Sequence, residues 1–298
     1  MVSIIVCTYN REKFIGHCLR SIAAQTAHSN EFELVFVDNN STDRTAAIFS
    51  EFKRTNPRIH CRYVLEESQG LSYARNRGIK ESKGEVIAFL DDDAIAGKDY
   101  VRYLIDDFLN SPCLAGGGKI IPYWEDERPA WMGRFLLPLV SVIDLGDQQR
   151  IFRGAKYPIG ANMFFKRIVF DRFGEFNTEL GRMGRNLMGG EEKELFNRIR
   201  KAGEEICYFP SISVHHIIPA ERTTTEFIKA QAIGIGVSER TRTNYRGLAY
   251  SNRLFLELLK WGATGLIAMG YLVRFQRRKA MMLVQFRLWV TRGLLNKV

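Results

Sequence analysis

Two nucleotide-binding signatures are missing from this sequence of 298 residues. No Gly-x-Gly-x-x-Gly run follows the first apolar segment, and no Gly-Lys-Ser/Thr loop occurs in the chain. Their absence argues against dinucleotide-dependent oxidoreductases and P-loop nucleotide hydrolases. The N-terminus also lacks the basic leader and the long apolar run of a signal peptide, so we interpret it as the first strand of the fold.

Cysteine is scarce and follows no metal or redox pattern. No two cysteines stand at the spacing of a metal knuckle or a dithiol redox motif, and their number is odd. This scatter predicts reduced, mostly buried thiols in a cytosolic protein. The five cysteines are Cys7, Cys18, Cys61, Cys113 and Cys207.

Acidic residues are almost missing from the last part of the chain. Residues 239–298 carry 12 Lys and Arg against 2 Asp and Glu, whereas residues 1–238 carry 31 of each sign. The net charge of +10 therefore lies in a tail that is also rich in Leu, Met, Phe and Trp. This pairing favours an anionic membrane surface over nucleic acid as the partner. We predict a domain over 1–238 and a basic amphipathic helical tail over 239–298.

The tail does not predict a membrane-spanning helix. Trp261–Val273 is free of charge but has only 13 residues, and a span needs ~20. Arg278, Gln285 and Arg292 recur every seven residues and predict one polar stripe on a helix. Such a helix could lie in a membrane interface, or pack on the first domain or on a second copy in a homo-oligomer. The charge surplus favours the membrane.

Short apolar runs alternate with amphipathic segments of helical length in the first part of the chain. This rhythm predicts an α/β fold with a Rossmann-like, mostly parallel sheet flanked by helices. The middle of the chain, about 116–190, is less regular and predicts a long loop-rich excursion, with a lid at 181–190. The predicted strands are Val2–Cys7, Glu33–Val37, His60–Leu65 and Glu85–Leu90, and the predicted helices are 11–25, 41–53, 71–83 and 191–202.

Polar residues stand directly after three of the predicted strands. Ligands of such sheets bind beyond these carboxyl ends. Asp91, Asp92 and Asp93 form the sharpest group, because three adjacent carboxylates repel one another unless a cation or many donors compensate them. Their hard oxygen ligands suit Mg²⁺ or Mn²⁺. An exposed acidic turn is the alternative, but the position after a buried strand favours the metal.

The chain resembles the family 2 glycosyltransferases of the GT-A fold over about residues 1–235. The resemblance implies an inverting enzyme that moves a sugar from a nucleotide-diphosphate sugar to an acceptor hydroxyl, in polysaccharide or glycolipid assembly at the cell surface. It also implies a nucleotide-sugar half at 1–115 and an acceptor half at 116–238. The matching segments, in the family's order, are Val2–Arg11, Val37–Thr45, Ala88–Asp93, Gly160–Met163 and Gly190–Leu195.

The resemblance also implies which residues hold the donor. Asp38 would recognise the nucleotide base and Asp91 the ribose. Asp38 could instead cap a helix, but the polar residues after it can already do so. Arg75 lies in a segment that lines the donor site in this family, although a solvated helix arginine is an alternative. The implied donor-binding residues are Thr8, Tyr9, Asn10, Arg11, Asp38, Arg75, Asp91 and Asp92.

Metal and catalytic residues follow from the same resemblance. Asp93 and His215 would bind the divalent metal, Mn²⁺ or Mg²⁺, and the imidazole favours Mn²⁺; a packed structural histidine is the alternative for His215. Glu192 would be the catalytic base, with Glu191 as the alternative, although both acids also suit the N-terminus of a helix. The acceptor-side residues are Gly160, Asn162 and Trp131.

Two other functions remain alternatives at this point. A nucleotidyltransferase acting on sugar phosphates would share the sheet and the metal, but would carry a Gly-rich phosphate loop after the first strand. A non-catalytic membrane-associated nucleotide-sugar-binding protein would leave the acidic motifs unexplained. The Gln-x-x-Arg-Trp motif of processive synthases is missing, which predicts transfer of a single sugar. We predict a cytoplasmic protein, peripheral to the inner face of the cell membrane, with a glycan or lipid-linked acceptor and no nucleic-acid partner.

Overall fold

A computed structural model describes residues 1–154, 156–181, 190–243 and 247–295. The chain divides into two compact units: the first comprises Met1–Tyr123 and Ser141–Ile217, and the second comprises Trp124–Val140 and Ile218–Val298. The domain boundary expected at residue 238 stays a prediction. The lid expected at 181–190 lies outside the described residues except for its two end glycines.

The first unit is built on a mixed sheet. Its order is β3-β2-β1-β4-β8-β6-β9-β5, and β7 pairs with β9. The strands are β1 (Val2–Thr8), β2 (Phe32–Asp38), β3 (His60–Leu65), β4 (Val86–Leu90), β5 (Ala94–Ala96), β6 (Ala115–Trp124), β7 (Arg150–Ile151), β8 (Asn162–Lys166) and β9 (Ile206–Ile218).

Four parallel strands bring the polar segments of the sequence to one edge. β1 pairs in parallel with β2 and with β4, and Thr8 at the end of β1 lies beside Asp38 at the end of β2. β5 follows β4 after three residues and pairs antiparallel with β9, which places Ala94 beside His216. The strand ends after β1, β2 and β4 and the C-terminal part of β9 therefore share one side of the sheet.

Helices cover both faces of this sheet. Alternate residues of each central strand point into different cores: Ile4, Leu34 and Ala88 lie in one, whereas Ile5 and Ile87 lie in the other. This two-sided burial explains why the strands are almost continuously apolar. The helices of the chain are α1 (Ile15–Ala23), α2 (Thr45–Thr55), α3 (Leu71–Glu81), α4 (Tyr100–Tyr103, continued by a π-helical segment at Leu104–Leu109), α5 (Ile168–Phe173), α6 (Glu191–Lys201), α7 (Thr225–Arg242), α8 (Gly247–Val273) and α9 (Arg277–Leu295), with 3-10 helices at Arg134–Val140 and Ala220–Thr223.

The α/β fold is confirmed, but the expectation of a loop-rich middle is wrong for two central strands. β8 pairs with β4 and β6 pairs with β8, so both lie inside the sheet. β6 begins Ala-Gly-Gly-Gly, a composition that does not predict a strand. A Cβ on Gly118 would lie 1.6 Å from the backbone oxygen of Ile212 in β9. The strand therefore needs glycine there because its neighbour approaches too closely for a side chain.

The expectation that all five cysteines are reduced is also wrong in this structure. Cys113, just before β6, forms a disulfide with Cys207 in β9, and 94 residues separate the two in sequence. Cys7, Cys18 and Cys61 are free. Scattered spacing carries no information about this pair, because neighbouring strands of the sheet join distant parts of the chain.

In the second unit, α7, α8 and α9 share a buried network of charged and polar groups. Glu257 of α8 accepts hydrogen bonds from Arg253 (2.9 Å), Arg287 (3.1 Å) and the Thr291 hydroxyl (3.1 Å). Arg253 also donates to Glu239 of α7 (3.1 Å). Each of the three helices therefore contributes charge to the interior of the unit.

Large apolar side chains lie on the outside of these same helices. Leu248 of α8 is 85% exposed and Phe275, in the turn between α8 and α9, is 90% exposed, whereas Glu257 is 3% exposed. The polar stripe predicted on α9 at residues 278, 285 and 292 is also exposed. The other strongly exposed apolar residues of α8 and α9 are Phe255, Leu256, Leu258, Leu259, Leu266, Met269, Leu272, Val273, Met281, Leu288 and Leu295. This unit thus buries charge and exposes an apolar face, which we call the outer apolar face.

Replacing Gly118 by Ala should destabilise the first unit by at least about 3 kcal/mol, because a backbone oxygen cannot move aside as a flexible side chain can. Urea unfolding followed by circular dichroism measures this change. Gly16→Ala in α1 is the matched control, since its Cβ would meet only the end of the Arg20 side chain at 3.3 Å, and alanine favours a helix. Equal stabilities of the two variants would contradict the close approach of β6 and β9.

Candidate active site

The loops after β1 and β2 hold each other in place at the edge of the sheet. Asn10 has a φ of 53°, a conformation that asparagine tolerates better than most residues. Its side-chain oxygen accepts from the Thr42 N–H (2.8 Å), and its own N–H donates to the Ser41 hydroxyl (3.0 Å). The Arg11 N–H donates to the Thr45 hydroxyl at the start of α2 (3.1 Å). The loop predicted to bind the donor is therefore fixed along its backbone.

Asp38 is buried and both of its carboxylate oxygens have a partner. One accepts from the Ser41 N–H (2.8 Å) and the other from the Tyr63 hydroxyl (2.7 Å). Asp38 does not cap α2, which begins only at Thr45, but the Ser41 N–H occupies one of its oxygens. Burial, with the hydrogen bond to Asp38, raises the pKa of Tyr63 to about 12. Sequence analysis missed Tyr63, because nothing in a strand's sequence says which neighbour it faces.

Two of the three aspartates after β4 contact a cation from the loop after β1. Arg11 contacts Asp92 through Nε (3.2 Å) and Asp93 through Nη2 (3.1 Å). Arg11 therefore supplies part of the positive charge that these carboxylates need. Burial raises the pKa of Asp92 to about 7, while Arg11 opposes the rise and Asp93 and Asp91 add to it. Repulsion among these acids is thus present as predicted, and a guanidinium offsets part of it.

Two of these aspartates also form a cluster suited to a metal. Asp91, Asp93 and His216 each offer one ligand atom, and these atoms lie within 4.8 Å of one another. His216 Nε2 lies 3.0 Å from Asp93 Oδ1, and both side chains are buried. Two carboxylates and one imidazole suit Mn²⁺, and Mg²⁺ also favours the carboxylates. This part of the site therefore fits a divalent cation.

The structure places His215 away from that cluster. It is exposed, whereas His216 is buried on the same side of β9 as Ile212 and Val214. Successive side chains of a strand point to opposite faces. The apolar residues at 212 and 214 were the signal in the sequence that the histidine two positions further on faces inward. We therefore assign the histidine ligand to His216 instead of His215.

Arg75 holds the two glutamates that begin α6. Its Nη1 donates to Glu191 (2.8 Å) and its Nη2 to Glu192 (2.9 Å). The guanidinium also lies over the rings of Phe89 and Phe176, at 5.9 and 5.3 Å from their centroids. In this structure Arg75, which was expected at the donor, is a buried partner of the acids.

Glu192 differs from Glu191 in its access to solvent. The Glu192 side chain is 17% exposed and that of Glu191 is 4% exposed. The backbone N–H of Gly160 donates to Glu192 (3.0 Å), and a Cβ at Gly160 would meet Arg75 at 2.1 Å and Glu192 at 2.3 Å. Burial raises the pKa of Glu192 to about 7; Arg75 opposes this, and Glu191 and Asp91 add to it. Asp91 therefore links the two acidic groups electrostatically.

The remaining predicted site residues are not all brought to this edge. Asn162 is fully buried, and its amide donates to the backbone oxygens of Ile212 and Lys119 while its oxygen accepts from the Tyr100 hydroxyl. It therefore joins strands instead of presenting its side chain to an acceptor. Trp131 belongs to the second unit. Thr8 is buried, and Tyr9 is exposed.

The sequence matches known proteins over most of its length. A family model described as glycosyl transferase family 2 matches residues 3–174. The glucosyl-dolichyl phosphate glucuronosyltransferase of Haloferax volcanii is 30% identical over 245 residues, which cover 80% of this chain and 76% of that protein. The succinoglycan biosynthesis protein ExoM of Rhizobium meliloti is 26% identical over 230 residues, which cover 76% of this chain and 70% of that protein.

Solved structures share the fold. The mannosyltransferase PcManGT from Pyrobaculum calidifontis, in complex with GDP-Man and Mn2+, superposes with a TM-score of 0.66 at 18% identity, over 100% of this chain and 88% of that one. S. aureus TarS 1-349 in complex with UDP-GlcNAc gives a TM-score of 0.53 at 18% identity, over 98% of this chain and 90% of that one. At these identities the likeness concerns the fold alone.

His216→Ala should weaken Mn²⁺ binding at least about tenfold, because it removes the imidazole from the acidic cluster. Electron paramagnetic resonance of free Mn²⁺ measures this affinity without any substrate. His215→Ala, one residue away and exposed, is the matched control and should bind Mn²⁺ as the unmodified chain does. A loss of affinity in His215→Ala with none in His216→Ala would reverse the assignment.

Proposed function

Because this chain belongs to glycosyl transferase family 2, we propose that it moves a single sugar from a nucleotide-diphosphate sugar to an acceptor hydroxyl, with inversion at the anomeric carbon. The chain is a glycosyltransferase by membership of this family. The missing Gln-x-x-Arg-Trp motif supports transfer of a single sugar. The positions of the acidic groups at the edge of the sheet support the inversion and the residues responsible.

The position of Glu192 is the observation that carries the proposal. This carboxylate is partly open to solvent, and burial brings its pKa to about 7. Such a group changes its protonation near neutral pH, as a general base needs to. The charge of Asp91, which belongs to the Asp91, Asp93 and His216 cluster, also raises the pKa of Glu192. The candidate base and the candidate cation site therefore interact electrostatically. Glu191 is the weaker candidate, since its burial keeps an acceptor away.

The reaction follows from these positions. Glu192 takes the proton of the acceptor hydroxyl as the acceptor oxygen forms a bond to the anomeric carbon. The bond from that carbon to the diphosphate oxygen breaks on the opposite side, and the nucleoside diphosphate leaves with the electron pair. Arg75 and the Gly160 N–H hold the Glu192 carboxylate in one orientation.

Asp91, Asp93 and His216 would hold the divalent cation, whose positive charge stabilises the diphosphate as it leaves. We assign the nucleotide to the loops after β1 and β2, where Asp38 and Tyr63 present a hydrogen-bonded pair at the strand ends. Asn10 and Ser41 fix the backbone between them. The donor's nucleotide and sugar would be identified by thermal shift with UDP-, GDP-, dTDP- and CMP-sugars in the presence of Mn²⁺.

We further propose that the acceptor is carried by a lipid and that the second unit lies on the cytoplasmic surface of the membrane. One relative is named for glucosyl-dolichyl phosphate, in which a sugar is joined through phosphate to a lipid. The outer apolar face supports this, because leucines exposed at this density are unfavourable in water and favourable in a bilayer interface. The buried Arg253 and Glu257 pair keeps charge away from that surface.

A cluster of cations favours a helix that lies in the interface over one that spans the membrane. α8 is long and apolar enough to cross a membrane by length and composition. Four cations, Arg274, Arg277, Arg278 and Lys279, follow directly after it. Moving such a cluster through hydrocarbon is costly, with about 2.5–3.5 kcal/mol for each charge at the centre of a span. On the cytoplasmic surface the same cations can contact anionic headgroups, each contributing about 1 kcal/mol.

Glu192→Gln should lower the rate of transfer by about 10² or more while donor affinity changes little, because only the general base is lost. In the unmodified chain, only the ionised carboxylate accepts a proton and burial raises its pKa. Thus kcat/KM for the acceptor should rise with pH through about 7 and then level off. The variant should lose this rise. Initial rates across pH 5.5–9 with the donor found by thermal shift measure both effects.

Glu194→Gln is the matched control, because it removes the same charge from the same turn of α6, where Glu194 is 34% exposed and pairs with Arg198 of the same helix (2.8 Å). Its rate and pH profile should match the unmodified chain. An active Glu192→Gln with an unchanged pH profile would contradict the assignment of the base.

Leu258→Gln combined with Leu266→Gln should reduce binding to vesicles of both anionic and neutral lipid, because each exposed leucine contributes apolar area. Arg277→Gln combined with Arg278→Gln should reduce binding to anionic vesicles alone, by roughly tenfold or more at low salt. Co-sedimentation with vesicles measures the bound fraction.

Ile168→Gln and Arg54→Gln, exposed positions of the first unit, are the controls. If the full chain stays in the supernatant with anionic vesicles, the membrane proposal fails, and sedimentation would show whether a second copy covers the outer apolar face.

A further inference from the structure

Arg11 contacts Asp93, one of the three residues of the Asp91, Asp93 and His216 cluster. Its backbone is fixed by the N–H bond to Thr45, so movement is confined to the side chain. The guanidinium bridges Asp92 and Asp93 at 3.2 and 3.1 Å. The side chain is 28% exposed, whereas the two acids are almost fully buried. The Arg11 side chain therefore remains partly open to solvent.

Asp93 is shared between Arg11 and the cation cluster. Its Oδ2 contacts Arg11, and its Oδ1 contacts His216. A divalent cation held by Asp91, Asp93 and His216 would lie beside the guanidinium, and two positive charges at such a distance repel each other. Binding of the cation and retention of the Arg11 contacts therefore oppose each other.

We propose that Arg11 is a positioning residue that competes with the divalent cation for Asp93 while the donor is absent, and turns to the donor's diphosphate when the donor binds. The planar fork of an arginine bonds a phosphate as well as a carboxylate. The diphosphate brings negative charge that compensates both the cation and the guanidinium. Arg11 therefore makes cation binding weak without the donor and couples it to donor binding. The inference rests on the proposed use of a nucleotide-diphosphate sugar.

A purely structural role for Arg11 predicts the opposite change in Mn²⁺ affinity. If the guanidinium only neutralised the buried acids, its loss would leave the carboxylates repelling one another and would loosen the cluster. Cation affinity would then fall or stay unchanged. The two roles therefore differ in the sign of one measurable quantity, the affinity for Mn²⁺ in the absence of donor.

The test compares Arg11→Gln, Arg11→Lys and the unmodified chain. Free Mn²⁺ is measured by electron paramagnetic resonance without donor, and UDP- and GDP-sugar affinity by calorimetry at saturating Mn²⁺. Arg11→Gln should bind Mn²⁺ at least about fivefold tighter and the nucleotide sugar at least about fivefold weaker, the lower end of usual coupling between two ligands. Arg11→Lys should change both affinities in the same directions by less, because an ammonium keeps the charge but cannot bridge both acids.

Arg54→Gln, which removes the same charge from an exposed pair on α2, should leave both affinities unchanged. Circular dichroism at each titration temperature establishes that the variants are folded, and Arg11→Lys carries the test if Arg11→Gln does not fold. Mn²⁺ affinity that is unchanged or weaker in a folded variant overturns the inference. If the unmodified chain binds neither Mn²⁺ nor any nucleotide sugar, the proposed function fails instead, so the two failures are distinguishable.

Discussion

Buried negative charge at the carboxyl ends of the parallel strands constrains the whole first unit. Asp92, Asp93 and Glu191 are each at most 6% exposed, and an ionised carboxylate without a partner is strongly unfavourable in such surroundings. Two arginines compensate these acids. Arg11 comes from the loop after β1 and Arg75 from α3, and each contacts two acids at once. These pairs fix segments that lie far apart in the sequence.

The scaffold allows these pairs to form by close packing of backbone. Gly160 has no side chain where Arg75 and Glu192 meet, so its N–H can reach the carboxylate. Gly118 allows β6 to lie against β9, the strand that carries His216. Asn162 then joins this part of the sheet through bonds to two backbone oxygens. The precision of the acidic edge therefore depends on strands that the active groups do not belong to.

The second unit distributes its charged and apolar side chains differently from the first. Its helices bury Arg253 and Glu257 and expose leucines, which is the reverse of a helix in a water-soluble domain. A charged pair inside the unit is tolerated because Arg287, Thr291 and Glu239 complete its bonds. An apolar outer face is stable where lipid covers it. In the proposed arrangement on a membrane, the cations after α8 would contact anionic headgroups beside this face.

The sequence by itself determined the parallel strands, the helices between them, and the position of the acidic residues Asp91–Asp93 and Glu191–Glu192 at element boundaries. It did so because apolar periodicity and chemical type are local properties of the chain. The family resemblance added the roles of these residues. Glycine-rich β6 escaped prediction, since its glycines are required by a neighbouring strand and not by its own propensity.

Only the tertiary structure decided which groups meet. It placed His216 instead of His215 beside Asp93, turned Arg75 to the glutamates, brought Arg11 to the aspartates and joined Cys113 to Cys207. Each of these outcomes depends on the face that a strand presents or on the register between segments distant in sequence. A side chain's identity sets what it can bind, but the packing of the sheet sets what lies within 3 Å of it.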